Sequence, residues 1–196
     1  MAQNPLRAKI EVLNAICDQA RACTACDLHQ ERANVVFHSG RADADIVLVG
    51  EAPGENEDRT GSPFVGRSGQ LLDDVLCRIG TTRDDVYVCN AVKCRPPSNR
   101  PPTAIEVAAC AGFLSRQLDV VGAPVVVVLG ASAARALKVP FKALRDVRGQ
   151  VLTIDGRCVI VTIHPAYALR NRPLNEPLLE QDLALALALA RGQRSV

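Results

Sequence analysis

Tryptophan is absent from the 196 residues, methionine occurs once, and aromatic side chains make up only 3% of the chain, as four Phe and two Tyr. An aromatic that falls outside a periodic apolar face is therefore informative. No apolar stretch approaches the ~20 residues a membrane span needs, and Met1-Ala2-Gln3-Asn4-Pro5-Leu6-Arg7 is not followed by the apolar segment of a secretory signal. A cytoplasmic location with no membrane partner is expected. Low-complexity segments are missing too, which argues against extended disorder. Charge of neither sign dominates, since 23 Lys and Arg against 21 Asp and Glu leave +2. The glycines that follow the first apolar run are not spaced Gly-x-Gly-x-x-Gly, so no dinucleotide-binding fingerprint is present.

Apolar residues make up 48% of the chain and charged residues 22%, over a length that suits one domain, residues 1–196, with a core that needs neither metal nor disulfide. A monomer is expected. The basic residues are unevenly spread: Arg135, Lys138, Lys142, Arg145, Arg148, Arg157, Arg170 and Arg172 face only Asp146 and Asp155 in the same stretch. That half could meet a polyanion or be a solvated basic surface. Eight cysteines in a cytosolic chain point to metal ligation or buried thiols rather than a disulfide framework.

Leu6, Ile10, Leu13, Ile16 and Cys17 recur at helical spacing and predict an amphipathic helix over residues 5–22, leading into Cys23-Thr24-Ala25-Cys26. A short strand is expected at Val35-Val36-Phe37. Asp45 to Val49 reads as a buried strand, and Leu71, Leu72, Val75, Leu76 and Ile79 predict a helix over 68–79 that packs on a sheet. Val86 to Val92 is a second strand with Asn90 near its carboxyl end. Prolines from Pro96 to Pro102 stop any regular element, and Thr103 with Glu106 forms a capping box that opens a helix to about Leu118. Pro124 to Gly130 suits a central strand, residues 131–137 a short helix, and residues 150–154 and 158–163 a hairpin whose second arm ends at His164-Pro165. Glu176 to Ala190 is read as helix. Alternating strands and helices imply a mostly parallel sheet covered on both faces.

Between the first strand and its helix runs Gly50 to Leu72, far longer than a structural turn requires, with Glu51, Glu55, Glu57, Asp58 and the lone Phe64. It leaves the carboxyl end of a strand, where open α/β sheets bind ligands, and reads as an active-site loop. Gly66-Arg67-Ser68-Gly69 at its end offers free backbone N–H groups as an anion seat. Cys23, Cys26, Cys94 and Cys110 combine one close pair with two distant single cysteines. Zinc sites more often use two close-spaced pairs, so the spacing favours an iron–sulfur cluster over zinc. Cys17, Cys77, Cys89 and Cys158 fall on apolar faces or strands and read as small core residues.

The chain resembles the family-4, iron–sulfur uracil-DNA glycosylases of bacteria and archaea. Gly50-Glu51-Ala52-Pro53-Gly54 with Glu57-Asp58, Pro63 to Leu72, Asn90 to Pro97 with Asn99-Arg100, and His164-Pro165-Ala166-Tyr167 with Leu169-Arg170 carry the likeness across residues 23–170. It implies a three-layer α/β/α fold around a four-stranded parallel sheet of order 2-1-3-4. It also implies a [4Fe–4S] cluster on Cys23, Cys26, Cys94 and Cys110, and release of free uracil from single- and double-stranded DNA as the start of base-excision repair, with later repair proteins as partners. Phe64 would stack on a flipped base, and Asn90 would pair with the O4 and N3–H edge of uracil. His164 would donate to O2 as negative charge develops there. The backbone around Glu51, Ala52 and Pro53 would line the pocket, with Arg67, Ser68, Arg100, Leu169 and Arg170 on DNA.

Two departures matter, one from better-known uracil-DNA glycosylases that the family shares and one from the family itself. Where better-known uracil-DNA glycosylases use an Asp to position water, this chain has Ala52, so Glu51 is expected in that role, with Glu57 and Asp58 behind it. Ala168 stands where a Leu is expected to wedge into the space of the flipped base, which leaves the task to Leu169 or Arg170. No His lies between Asn90 and Cys110 to trap DNA covalently, and no Lys is expected in the catalytic motifs to form a Schiff base. The rivals are a DNA-binding module without catalysis, which would release no uracil, and a cluster-bearing electron-transfer protein.

Overall fold

The computed structural model describes residues 4–193. Helix α1 (Pro5–Arg21) starts at Asn4, whose side chain accepts from the Leu6 N–H, and a single turn α2 (Leu28–Glu31) follows the Cys-x-x-Cys. The next elements are β1 (Ser39–Gly40), β2 (Ile46–Gly50), α3 (Glu55–Thr60) and α4 (Arg67–Arg78). A 3-10 turn at Arg83–Asp85 leads to β3 (Tyr87–Asn90), and Thr103 caps α5 (Ala104–Val121) through the expected box with Glu106. Replacing such a cap costs about 1 kcal/mol. The chain continues through β4 (Val125–Leu129), α6 (Ala131–Ala136), α7 (Leu144–Val147), β5 (Val151–Ile154), β6 (Arg157–Thr162), α8 (Pro165–Ala168) and α9 (Arg172–Gln193).

The strands form one sheet of order β1-β3-β2-β4-β6-β5. Its middle four, β3-β2-β4-β6, are parallel and follow the expected order 2-1-3-4. The expected four-stranded sheet is nonetheless two strands short, because β1 and β5 pair antiparallel on the two edges. β5 is the first arm of the expected hairpin, which extends the sheet past its parallel core. No strand forms at Val35–Phe37; Val36 N–H instead bonds the Lys93 carbonyl, and pairing with β3 begins at Ser39.

Side chains alternate between two cores even though the central strands are buried throughout. Val47, Val49, Val126, Val128, Val159 and Val161 pack with Leu13, Ile16, Leu114 and Leu118 of α1 and α5. Leu48, Val125, Val127 and Ile160 pack with Leu71, Leu72, Val75 and Leu76 of α4 and with α9. These two helical layers sandwich the sheet, as a chain with period-2 strands and amphipathic helices must. In α9, Leu179, Leu183, Ala186 and Ala190 are buried at helical spacing, which settles its Leu-Ala alternation as helix. The end of β6 is tied to α9 by buried Asp182, which accepts from Thr162 Oγ1 (2.6 Å) and Arg148 Nη1 (2.9 Å). That tie sits two residues before His164.

Candidate active site

Parallel register places Gly50 opposite Asn90, and the ladder continues through Ala91 N–H to the Gly50 carbonyl (2.8 Å) and Val92 N–H to that of Glu51 (3.0 Å). The carboxyl ends of β2 and β3 therefore open side by side. Between them and the end of β6 lies a cleft of about 280 Å³, lined by Glu51, Ala52, Pro53, Gly54, Glu57, Phe64, Ser68, Asn90, His164 and Ala166 on one side and Pro96, Asn99, Arg100 and Pro101 on the other. A larger groove of about 640 Å³ runs between α4 and α9 but contains none of the expected site residues. The smaller cleft has the convergent polar groups and the position at strand ends that mark a ligand site.

Asn90 is 2% exposed, and its amide has no protein hydrogen bond among the described residues. Gly50 makes room for it, since a Cβ there would lie 2.3 Å from Asn90 Oδ1 and 2.6 Å from Phe64 Cζ. Any larger residue at position 50 would close the space between amide and ring. Phe64 has φ 55°, buries its ring in the core beside the cleft and stacks on His164 with centroids 5.7 Å apart.

His164 caps α8, and its Nδ1 accepts the Ala166 N–H (3.1 Å). Burial lowers its pKa from the ordinary 6.5 to about 4, a fall that the Glu57 carboxylate partly offsets. At neutral pH the ring is uncharged, and with Nδ1 accepting, its proton is on Nε2. The cleft therefore contains one neutral imidazole donor.

The acids of the loop divide by their partners. Glu57 accepts from Val65 and Gly66 N–H through Oε1 (both 2.9 Å) and from Gly54 N–H through Oε2 (3.2 Å), so it braces the loop. Asp58 is buried outside the cleft and accepts from the backbone of Ala33 and Asn34. Glu51 lines the cleft with no side-chain hydrogen bond among the described residues. These contacts also narrow the expected anion seat: the Gly66 N–H is taken by Glu57 and that of Gly69 by the Gly66 carbonyl, which leaves those of Arg67 and Ser68. The turn Glu55–Thr60 was not foreseen within this loop.

Ser68 and Arg100 reach the cleft, although the Arg100 guanidinium is paired with Glu106 (2.6 and 2.8 Å). Arg67 and Arg170 are exposed outside it. Ala168 is fully buried and Leu169 packs against the core, while Tyr167 is 50% exposed with the Arg170 guanidinium 6.0 Å from its ring. Leu169 is thus committed to packing, and the outward face of this turn carries Tyr167 and Arg170. His29 and His38 are half-buried, and His38 stacks on Tyr87 at 4.7 Å. Cys77, expected in the core, is exposed.

Cys23, Cys26, Cys94 and Cys110 line a second cavity together with His29, Arg32 and Lys93. Burial raises the thiol pKa of both Cys94 and Cys110, that of Cys110 to about 11, while the Arg32 guanidinium at 3.3 Å from Cys94 Sγ pulls the other way. Among the described residues no three His, Cys, Asp or Glu converge closely enough for a single metal ion. Four soft sulfur donors around one cavity are the donor set that could hold an iron–sulfur cluster. Lys93 contradicts the expectation of no Lys in the motifs. It is fully buried and turned from the cleft, with Nζ 2.5 Å from the Asn90 carbonyl and 5.7 Å from the Phe37 ring centre. Neither Arg32 nor Lys93 was singled out from sequence; a buried Lys beside a ligand cysteine was the available signal.

The sequence model of the Uracil DNA glycosylase superfamily matches residues 37–187. The chain belongs to this superfamily. Among its relatives, the Type-4 uracil-DNA glycosylase of Thermotoga maritima is 48% identical over 83% of this chain and 85% of its own length. Those of Archaeoglobus fulgidus and Saccharolobus solfataricus are 42% and 40% identical, over 85% and 87% of this chain and 88% and 82% of theirs. The superfamily match takes in Asn90, His164 and the loop from Gly50 to Leu72, but begins after Cys23 and Cys26.

Proposed function

We propose that this superfamily member is a monofunctional DNA glycosylase that hydrolyses the N-glycosidic bond of deoxyuridine and releases free uracil. The observation that carries this reading is the buried Asn90 amide, which has no hydrogen-bond partner among the described residues, beside a neutral His164 donor and an aromatic wall in one cleft. Such an amide offers a donor and an acceptor side by side, which matches O4 and N3–H of uracil and opposes the exchanged pair of cytosine.

A base within a duplex has to leave the stack to enter this cleft, at a cost of a few kcal/mol that is least at a mispair or in a single strand. Phe64 stacks on the base, and His164 Nε2–H donates to O2 as the bond to the sugar breaks and charge gathers on the ring. A neutral imidazole suits this role, because it strengthens its bond as the anion forms and does not protonate the base outright. Glu51, a cleft carboxylate with no side-chain hydrogen bond among the described residues, positions the water that attacks the sugar. Arg67, Ser68, Arg100 and Arg170 contact DNA around the cleft. Tyr167 on the outward face of the α8 turn, rather than packed Leu169, joins Arg170 beside the space of the flipped base.

In this reading Cys23, Cys26, Cys94 and Cys110 would hold a [4Fe–4S] cluster, which would tie the segment after α1 to Cys94 before the Pro-rich wall and to Cys110 on α5. The chain acts as a single domain and a monomer in the cytoplasm, and later base-excision repair steps consume its product; among the described residues no helix is long and apolar enough to cross a membrane. Release of free uracil from a labelled single-stranded oligonucleotide tests the reading. DNA binding without release would favour a non-catalytic module, and a reversible one-electron signal without release would favour electron transfer.

A further inference from the structure

We propose that Arg83, which lies outside the cleft and outside every motif, is a positioning residue that holds Phe64 in the conformation that aims its ring at the base. The proposal rests on the reading of Phe64 as the stacking wall. Phe64 has φ 55°, a left-handed conformation that bulky side chains avoid unless their surroundings impose it. Arg83 supplies those surroundings. From the 3-10 turn before β3, its Nη1 donates to the Pro63 carbonyl (2.9 Å) and its Nη2 to those of Phe64 (2.8 Å) and Gly69 (3.3 Å). Its Nε is held by Asp73 of α4 at 2.7 Å, and only 21% of the side chain is exposed.

One planar guanidinium thus joins the peptide groups on both sides of the Phe64 Cα to the first turn of α4. The rest of the fit is steric. A Cβ on Gly69 would lie 1.7 Å from the Phe64 carbonyl oxygen, so only glycine lets that carbonyl turn toward Arg83. With the carbonyl fixed there, the ring is directed over Gly50 and against His164. A lysine has no second donor arm at a fixed angle and could not serve three carbonyls and a carboxylate at once.

The test combines a double-mutant cycle with a spectroscopic reading of the ring. Single-turnover uracil release at saturating single-stranded DNA is measured for wild type, Arg83→Gln, Phe64→Ala and the double variant. A loss of about tenfold is expected for Arg83→Gln, and the double variant should be within about twofold of Phe64→Ala alone, because Arg83 acts through the ring. Losses that multiply would overturn the proposal. In protein labelled with 4-fluorophenylalanine, the four resonances belong to Phe37, Phe64, Phe113 and Phe141, and the one missing from Phe64→Ala identifies the wall. Arg83→Gln should move that resonance and leave the others in place; an unmoved Phe64 resonance, or displacement of all four, would overturn the clamp. If it moves while release is unchanged, the clamp stands and the stacking role of Phe64 is what fails. Should Arg83→Gln not fold, Asp73→Asn releases only the Nε anchor and is read the same way, with a smaller displacement and loss expected, and none overturning the clamp.

Discussion

The cleft and the cysteine cavity border the same segment, residues 90–110, yet they are built in opposite ways. The cleft is set by the sheet: Asn90 and His164 stand at or just beyond the ends of β3 and β6, and the loop from Gly50 is braced by Glu57 and Arg83. Among the described residues the side chains of Asn90 and Glu51 have no hydrogen-bond partner, while His164 Nδ1 accepts from Ala166 N–H. The cavity is set by irregular chain, with Cys23, Cys26 and Cys94 outside helix and strand and only Cys110 on a helix. Its cations, Arg32 and Lys93, are already engaged with backbone carbonyls. Asn90 and His164 are thus placed by the sheet, whereas three of the four cysteines are placed by irregular chain.

Breaking the cleft should have the largest effect. His164→Ala is expected to lower single-turnover release by ~10²–10³-fold with little change in DNA affinity, since a preorganised donor acts mainly in the transition state. An equal loss in affinity would make His164 a ground-state contact. Breaking the cavity should act elsewhere. Purified wild-type protein should carry about four iron and four sulfide per chain, and Cys94→Ala should lose them and bind DNA more weakly while a cleft occupied by free base retains its Asn90 contacts. A colourless wild type with one tightly held zinc would remove the cluster from the account. Glu51→Gln should cost roughly tenfold in release, below the ~10²–10⁴ of a full general base, because the amide still orients water. Wild-type rates would move that role to backbone.

The smallest expected effect concerns pH. His164 is neutral in the folded protein down to about pH 4 but titrates near 6.5 when unfolded. Between those values the unfolded state binds more protons, so this residue's contribution to stability falls as pH is lowered from 6.5 toward 4 and is flat above 6.5. His164→Gln should remove that part of the slope in melts followed across pH 4 to 7, and an unchanged slope would place the imidazole in water.

Much of this was legible because it depends on local pattern. Apolar runs located β2, β3, β4 and β6, and the capping box at Thr103 located the start of α5, whose end at Val121 lies three residues past the expected Leu118. Asn90 and His164 were legible as polar residues at the ends of apolar runs, and the four cysteines by their chemistry. What escaped depends on distant contacts. β1 has two residues and carries no pattern of its own. Glu57 was expected behind Glu51, and its role as a brace depends on backbone N–H groups of Val65 and Gly66 that its own position does not announce; nothing in the neighbourhood of Arg83 announces that it reaches back to Pro63 and Phe64. Leu169 read as a wedge from its place in a motif, and the structure shows it half-buried against the core.

The most direct test of the account is free-uracil release by Asn90→Asp set beside the wild type on one oligonucleotide series with uracil, cytosine or thymine at the target position. A carboxylate accepts from N3–H but repels O4, and a buried mismatch leaves groups unpaired at ~1–3 kcal/mol each. The account predicts that the variant loses most activity on uracil, with any gain confined to cytosine. If Asn90→Asp releases uracil like the wild type while thymine stays excluded, the amide is structural and the shape of the cleft alone selects the base.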